Sequence, residues 1–250
     1  MNTLRIRQWF QLSTLDARNI GRDDLLRWFI AVPLVLALAM RGMIPLILGQ
    51  LGGVLPFDPS AYLPQILPVA LVCLTPILVG MVSGFMLLDQ RDDGVLAALR
   101  ITPMGLGWYF SYVLLLPILL SMVLTPLSMA VAGFLPPTWY GTAAACLAAA
   151  SLAPLSTLIL VGFARNKIEG LALTKMSGVV LMAPFIQRWL LPSSVAPLGL
   201  VAFTLPTTWI AWTIWAAQAG TTVLPPLLMS LLTATVWGML AWRRVWRMQS

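Results

Sequence analysis

The sequence has 250 residues, of which 60% are hydrophobic and only 9% are charged. A soluble domain normally carries about a quarter charged residues, so this composition excludes a water-exposed globular fold and predicts a membrane protein. The formal net charge is +7, but the basic residues cluster between apolar runs rather than along one stripe, which argues against nucleic acid as a partner.

The chain starts with a basic, amphipathic segment. Residues 1–26 interleave Arg5 with apolar side chains such as Trp9 and Phe10, a pattern that predicts an interfacial helix lying along the cytoplasmic headgroups. A basic leader that only anchors the topology is the alternative interpretation. The first apolar run starts near Trp28, after several carboxylates, so no removable signal peptide is expected.

Six apolar stretches follow, and a membrane-spanning helix needs roughly 20 such residues. They lie near 27–49, 65–88, 108–134, 138–164, 176–191 and 221–242. The segment 192–220 is also apolar, but three prolines interrupt it. It predicts extracellular re-entrant helices between the fifth and sixth spans, because a seventh span would place the two basic ends on opposite sides. The predicted fold class is an all-α membrane protein of six transmembrane helices, with residues 1–250 forming one domain.

The distribution of Lys and Arg predicts the orientation. Thirteen of the 15 basic residues lie on one side of the six spans, and by the positive-inside rule this side is cytoplasmic. They are Arg5, Arg7, Arg18, Arg22, Arg27, Arg91, Arg100, Arg165, Lys167, Lys175, Arg243, Arg244 and Arg247. The N and C termini are therefore both predicted to be cytoplasmic.

Several kinds of chemistry have no support in the sequence. It contains no His and no GxxxxGK[ST] motif, so we expect no catalytic residue, metal site or bound nucleotide in this chain. A membrane enzyme or scaffold is an alternative, but Ser83, Ser121 and Ser128 have no His or carboxylate neighbour in sequence. An ion-coupled secondary transporter is a second alternative, but no Asp or Glu lies within a span away from its cytoplasmic end.

The first cytoplasmic loop, 89–107, predicts a short amphipathic helix. Asp92 or Asp93 suits the positive end of the helix dipole, Arg100 suits the negative end, and Pro103 stops the helix. Leu96 and Leu99 then form a small apolar surface outside the bilayer. Such a surface indicates either a docking partner or packing of the loop helix against its own spans, and the pattern leaves both open.

The second cytoplasmic loop, 165–175, carries the run Asn-Lys-x-Glu-Gly-Leu-Ala-x-x-Lys and also reads as a short charged helix that begins a span. This run and the first loop together resemble the type-2 ABC exporter permease family. The first match comprises Asp89, Arg91, Gly94, Leu96, Leu99, Thr102 and Pro103. The second comprises Asn166, Lys167, Glu169, Gly170, Leu171, Ala172 and Lys175. Relatives often carry Glu at the first acidic position, and the similarity extends over nearly the whole chain.

The resemblance implies a permease subunit that moves an amphipathic or hydrophobic compound out of a bacterial cell across the inner membrane. It implies a homodimer or pseudo-dimer coupled to a separate P-loop ATP-binding subunit, which holds the ATP and Mg. The residues expected to couple the two subunits are Asp89, Arg91, Asp92, Asp93, Gly94, Leu96, Leu99, Arg100, Thr102, Pro103, Asn166, Lys167, Glu169 and Gly170.

Two arginines, Arg41 and Arg188, lie toward the far ends of the first and fifth spans. A charge at membrane depth is costly and points to function. Arg41 lies about 21 Å along the helix from Arg27, so snorkelling to the outer headgroups is one interpretation. The other is contact with an anionic substrate or lipid headgroup, with Asp58 as a resting partner.

Overall fold

The computed structural model describes residues 24–51, 62–95, 106–190 and 197–249. These residues are almost wholly helical, and none of them forms a β-strand. The predicted interfacial helix, 1–26, lies outside the described residues except for its last three, which open the first helix.

Nine α-helices and one π-helical turn form the described structure. In chain order they are α1 (Asp24–Leu51), α2 (Leu63–Asp92), α3 (Leu106–Ala132), α4 (Trp139–Ala150), α5 (Leu152–Phe163), α6 (Lys167–Phe185), the π-turn (Ile186–Leu190), α7 (Pro197–Phe203), α8 (Pro206–Gln218) and α9 (Leu224–Gln249). Within these described ranges, six stretches are long and apolar enough to cross a membrane, with α4 and α5 together forming one of them. The predicted six-span all-α class is thereby confirmed.

The spans differ in how much of their surface is buried. In the most apolar part of α2, 78% of the residues are buried, and the value for α4–α5 is 72%, whereas it is only 11% for α1 and 22% for both α6 and α9. The second and fourth spans therefore form the centre of the bundle. The apolar faces of the outer spans are left for lipid or another chain.

Close contact between α2 and α5 depends on two glycines spaced four residues apart. A Cβ on Gly80 would lie 2.1 Å from the carbonyl oxygen of Ala153, and one on Gly84 would lie 2.7 Å from the side chain of Leu160. Thr157 Oγ1 donates to the Gly80 carbonyl at 2.8 Å across the same contact. Small residues at this spacing let membrane helices approach backbone to backbone.

The fourth span is not one continuous helix. It breaks at Ser151, whose hydroxyl donates to the carbonyl of Ala148 at 2.6 Å, and α5 continues with Pro154 in its first turn. Proline has no N–H to donate to the preceding turn, which favours an interruption at this point.

The fifth span begins earlier than the apolar pattern predicts. Helix α6 starts at Lys167, well before the predicted start at residue 176, and so includes most of the segment 165–175. Asn166 caps the helix, and this charged first turn extends it beyond the apolar run.

The segment between the fifth and sixth spans contains α7 and α8. Helix α8 has 13 residues, too few to cross the hydrocarbon core, but Ile210, Ala211 and Ile214 on it are fully buried. Thr207 Oγ1 on α8 donates to the Val180 carbonyl of α6 at 3.0 Å. Helix α8 is thus a short helix packed inside the bundle, and its re-entrant depth in the membrane stays a prediction.

Replacing Gly80 by Ala should lower the free energy of unfolding by about 1–3 kcal/mol, because the new methyl group collides with backbone that cannot rotate away. Unfolding of the purified protein in mixed micelles measures this change. Gly178→Ala is the matched control, since nothing lies within 4 Å of a Cβ at that position. Equal stability of the two variants would contradict the backbone contact.

Candidate functional site

The two charged segments singled out by the sequence meet in the structure. Lys167 Nζ, in the first turn of α6, lies 3.1 Å from Asp89 Oδ2, in the last turn of α2. The two side chains are 34% and 40% exposed, so water partly screens this ion pair. The pair joins the ends of the second and fifth spans.

Arg91 makes a second connection between the same ends. Its Nη2 donates to the carbonyl of Ala164 at 3.0 Å and also to the carbonyl of Arg165. These carbonyls belong to the short link between α5 and α6. We call Asp89, Arg91, Ala164, Arg165 and Lys167 the α2–α6 clasp, because together they tie the end of α2 to the start of α6.

The start of α6 is fixed by its own polar side chains. Asn166 Oδ1 accepts from the backbone N–H of Glu169 at 2.9 Å, and Glu169 Oε2 accepts from the backbone N–H of Arg165 at 2.8 Å. This reciprocal arrangement is a form of capping box, and Glu169 also favours the positive end of the helix dipole. Lys167 is therefore held on a well-defined first turn, facing Asp89.

Two glycines set the backbone on either side of the clasp. A Cβ on Gly170 would lie 2.8 Å from the ring of Phe85, so only glycine lets α6 pack this closely on α2. Gly94 has a φ of +72° and its N–H donates to the Arg91 carbonyl at 3.2 Å, which ends α2 in a left-handed turn. Asp92 is the last residue of α2 and Asp93 is its C-cap.

The structure describes part of the predicted coupling residues. Of the first loop, it describes Asp89 through Val95, whereas the other predicted residues lie outside the described range. Those others are Leu96, Leu99, Arg100, Thr102 and Pro103. Of the second loop it describes all four. The sequence indicated both segments separately but not that they contact each other.

Exposed apolar side chains surround the clasp. Ile168 is 79% exposed in the first turn of α6, and Val95 is 40% exposed just beyond the end of α2. Both lie beside the charged residues rather than within the apolar middle of a span. An apolar side chain at this level is suited to contact a partner.

Arg188 lies at the other end of the bundle, within a group of aromatic rings. Its guanidinium carbon is 4.5 Å from the Trp215 ring centroid and 5.7 Å from that of Trp212, and its Nε donates to Gln65 Oε1 at 3.2 Å. Trp215 in turn donates to the Gln65 carbonyl at 3.0 Å. A guanidinium held by two indole faces is a stable arrangement in a partly dry site.

Two polar atoms near Arg188 have no hydrogen-bond partner within the described part of the chain. They are Oε1 of Gln187, whose side chain is buried, and Nε1 of Trp212. A buried polar group without a partner costs free energy unless water or a ligand satisfies it. This end of the bundle thus offers a cation beside an indole donor, with a buried acceptor on the neighbouring residue of the chain.

Arg41 is not part of that aromatic group. Its Nη1 donates to the carbonyl of Val131 at 3.1 Å, in the last turn of α3. The C-terminal end of a helix carries partial negative charge, which suits a guanidinium. Asp58, the predicted resting partner, lies outside the described residues.

Comparison with known proteins decides the family. The family model described as fluoroquinolones export permease protein Rv2686c-like matches residues 16–242. The chain belongs to this type-2 ABC permease family. Membership confirms the resemblance seen in the two charged loops and makes the chain a multi-pass membrane permease of the export type.

Two curated relatives have the same degree of similarity. Both are named fluoroquinolones export permease proteins: MT2760 of Mycobacterium tuberculosis strain CDC 1551 / Oshkosh and Rv2686c of strain ATCC 25618 / H37Rv. Each is 28% identical over 204 residues, which is 81% of this chain and 80% of the relative. No solved structure matches the chain.

A double-mutant cycle on Asp89→Ala and Lys167→Ala should give a coupling energy of about 0.2–1 kcal/mol in the free energy of unfolding, the range for partly exposed ion pairs. The control cycle pairs Lys167→Ala with Asp92→Ala, because Asp92 is exposed at the end of the same helix. The same coupling in both cycles would show that the 3.1 Å contact has no specific energetic role.

Proposed function

We propose that this permease is the transmembrane subunit of an ATP-driven exporter in the bacterial inner membrane, with both termini cytoplasmic. ATP and Mg bind to a separate P-loop subunit, and two permease copies, identical or homologous, form the pathway. The α2–α6 clasp is the observation that supports this proposal most, because it unites the two segments that resemble the family's coupling loops.

The clasp suits the transmission of force between subunits. Helix α2 is the most buried span and α6 is among the most exposed. A partner that pushes on the first loop would move the end of α2, and the ion pair and the Arg91 hydrogen bonds would carry α6 along with it. Rigid-body movement of packed helices is a common way to switch between two states.

The surface beside the clasp is suited to docking of the ATP-binding subunit. Val95 follows the exposed carboxylates Asp92 and Asp93 at the end of α2. Ile168 follows Lys167 in the first turn of α6, and both apolar side chains are exposed. Leu96 and Leu99 continue the apolar sequence in the first loop. An apolar centre with a charged rim is the usual anatomy of a protein interface.

The docking surface can be tested by co-expressing the permease with its neighbouring reading frames and affinity-purifying it. Replacing both Leu96 and Leu99 by Asp should abolish retention of a P-loop ATPase, because two carboxylates oppose apolar docking. The chain itself should still insert. The control is Leu135→Asp, which places one carboxylate on an exposed leucine in the link between α3 and α4, at the opposite end of the bundle. If the double variant retains the ATPase as well as the unchanged permease does, the first cytoplasmic loop is not the docking site.

The proposed substrate is an amphipathic or hydrophobic compound, of the drug, peptide or lipid-like kind, and the relatives' names make a fluoroquinolone the first compound to test. The surroundings of Arg188 are the reason to expect an anionic group on this compound. The guanidinium lies among aromatic rings, and the polar atoms of Gln187 and Trp212 have no partner within the described residues. Arg41 would act at the same end, against the substrate or a lipid headgroup.

Charge-removing changes at both positions, Arg41→Gln with Arg188→Gln, should raise the apparent KM for a fluoroquinolone about tenfold, the loss expected for one hydrogen bond to a charged group. Transport of its methyl ester should change little, because the ester has no carboxylate. Arg188→Lys is the conservative control, since it keeps the charge but not the planar stacking. If the double variant keeps both the rate and the preference for the free acid, neither arginine recognises the substrate.

A further inference from the structure

An apolar groove runs along the bundle surface between α3, the α4–α5 break and α9. Its volume is about 540 Å³, within the range of about 300–1,000 Å³ that is usual for small-molecule sites. Leu114 and Ile118 of α3 form one wall, and Leu231 and Trp242 of α9 form another. None of the residues that line it belongs to the aromatic group around Arg188.

The groove exists because of helix geometry and small side chains. Ser151 and Pro154 line it at the point where the fourth span breaks. On α9, Ala234 and Gly238 are one turn apart and leave room between larger neighbours. A Cβ on Gly238 would meet no atom within 4 Å, so this space is open rather than filled by packing.

One end of the groove is basic. Arg243 lines this end. It also lines a neighbouring cavity of about 480 Å³, together with Trp246 and Arg247. Arg243 is exposed and makes no hydrogen bond or ion pair within the described ranges. Its neighbour Arg244 is different, since its Nε donates to the Gly162 carbonyl at 2.9 Å and its guanidinium covers the Phe163 ring.

The length of the groove matches one leaflet. From Leu231 to Arg243 the helix rises about 18 Å at 1.5 Å per residue, and half of a ~30 Å hydrocarbon core is about 15 Å. Trp242, packed edge-on against Phe110, and Trp246 lie at the basic end, where tryptophan favours the headgroup level. The groove is therefore apolar along one leaflet's depth and cationic at the headgroup level.

We infer that this groove binds an anionic phospholipid of the leaflet on the Arg243 side, with an acyl chain along Gly238 and the phosphate against Arg243. Basic pockets between membrane helices bind such headgroups, and each basic residue near the surface adds to the attraction. A second copy of the chain fits this groove poorly, because a two-fold contact here would bring Arg243 and Arg247 of one copy toward the same arginines of its partner.

The inference is tested by native mass spectrometry of the full-length protein released from nanodiscs containing equal amounts of phosphatidylglycerol and phosphatidylcholine. Arg243→Gln should lower the ratio of retained phosphatidylglycerol to phosphatidylcholine about fivefold, the factor that one basic residue contributes. Lys175→Gln, which removes an exposed charge from α6, should leave the ratio unchanged. Equal ratios for the two variants would overturn the role of Arg243.

A second variant tests the groove itself. Gly238→Leu adds bulk at a position where a Cβ meets no atom within 4 Å and should reduce retention of both lipids several-fold, whereas Gly42→Leu adds the same bulk at an equally open glycine of α1 and should not. Undiminished retention in Gly238→Leu, or displacement of the lipid by millimolar inorganic phosphate alone, would overturn the inference. These measurements involve no transport, so their outcome is separate from that of the proposed export function.

Discussion

The contact between Asp89 and Lys167 is the constraint on which the rest of this structure's functional geometry depends. It joins the end of a buried helix, α2, to the start of a mostly exposed one, α6. The ion pair alone is weak, since both side chains are partly in water. Its position is nevertheless well determined, because the Asn166 cap orients the first turn of α6 and Gly170 allows that turn to lie against Phe85.

The membrane-embedded part of the bundle explains why such a weak contact is sufficient. Gly80 and Gly84 bring α2 and α5 into backbone contact, and Arg91 reaches the link that leaves α5. The ends of three helices, α2, α5 and α6, are therefore held by backbone groups as well as by charge. A movement imposed on the first cytoplasmic loop would be shared by these ends, while most of the surface of α1 and α9 faces outward from the bundle.

The sequence predicts the six spans well because twenty apolar residues between charged ends have few other stable structures. It also predicts a charged helix at the start of the fifth span, and Asn166 followed three residues later by Glu169 is a local signal for the cap found there, although the apolar pattern alone put the start at residue 176. The pairing of Asp89 with Lys167 joins residues 78 positions apart, and no local pattern encodes it. The burial of α8 and the groove beside Gly238 depend on how helices pack. The Gly80–Gly84 spacing was a readable signal for close packing that the hydropathy pattern does not use.

The proposed function requires that this helical body moves its cargo only when a separate ATPase drives it. Uptake of a fluorescent amphipathic drug into inverted proteoliposomes, with the permease alone or with its partner and ATP, tests this most directly. We expect accumulation only when the partner and hydrolysable ATP are both present, and none with a non-hydrolysable analogue. Accumulation against a gradient by the permease alone, driven by a proton or sodium gradient without nucleotide, would contradict ATP-driven export.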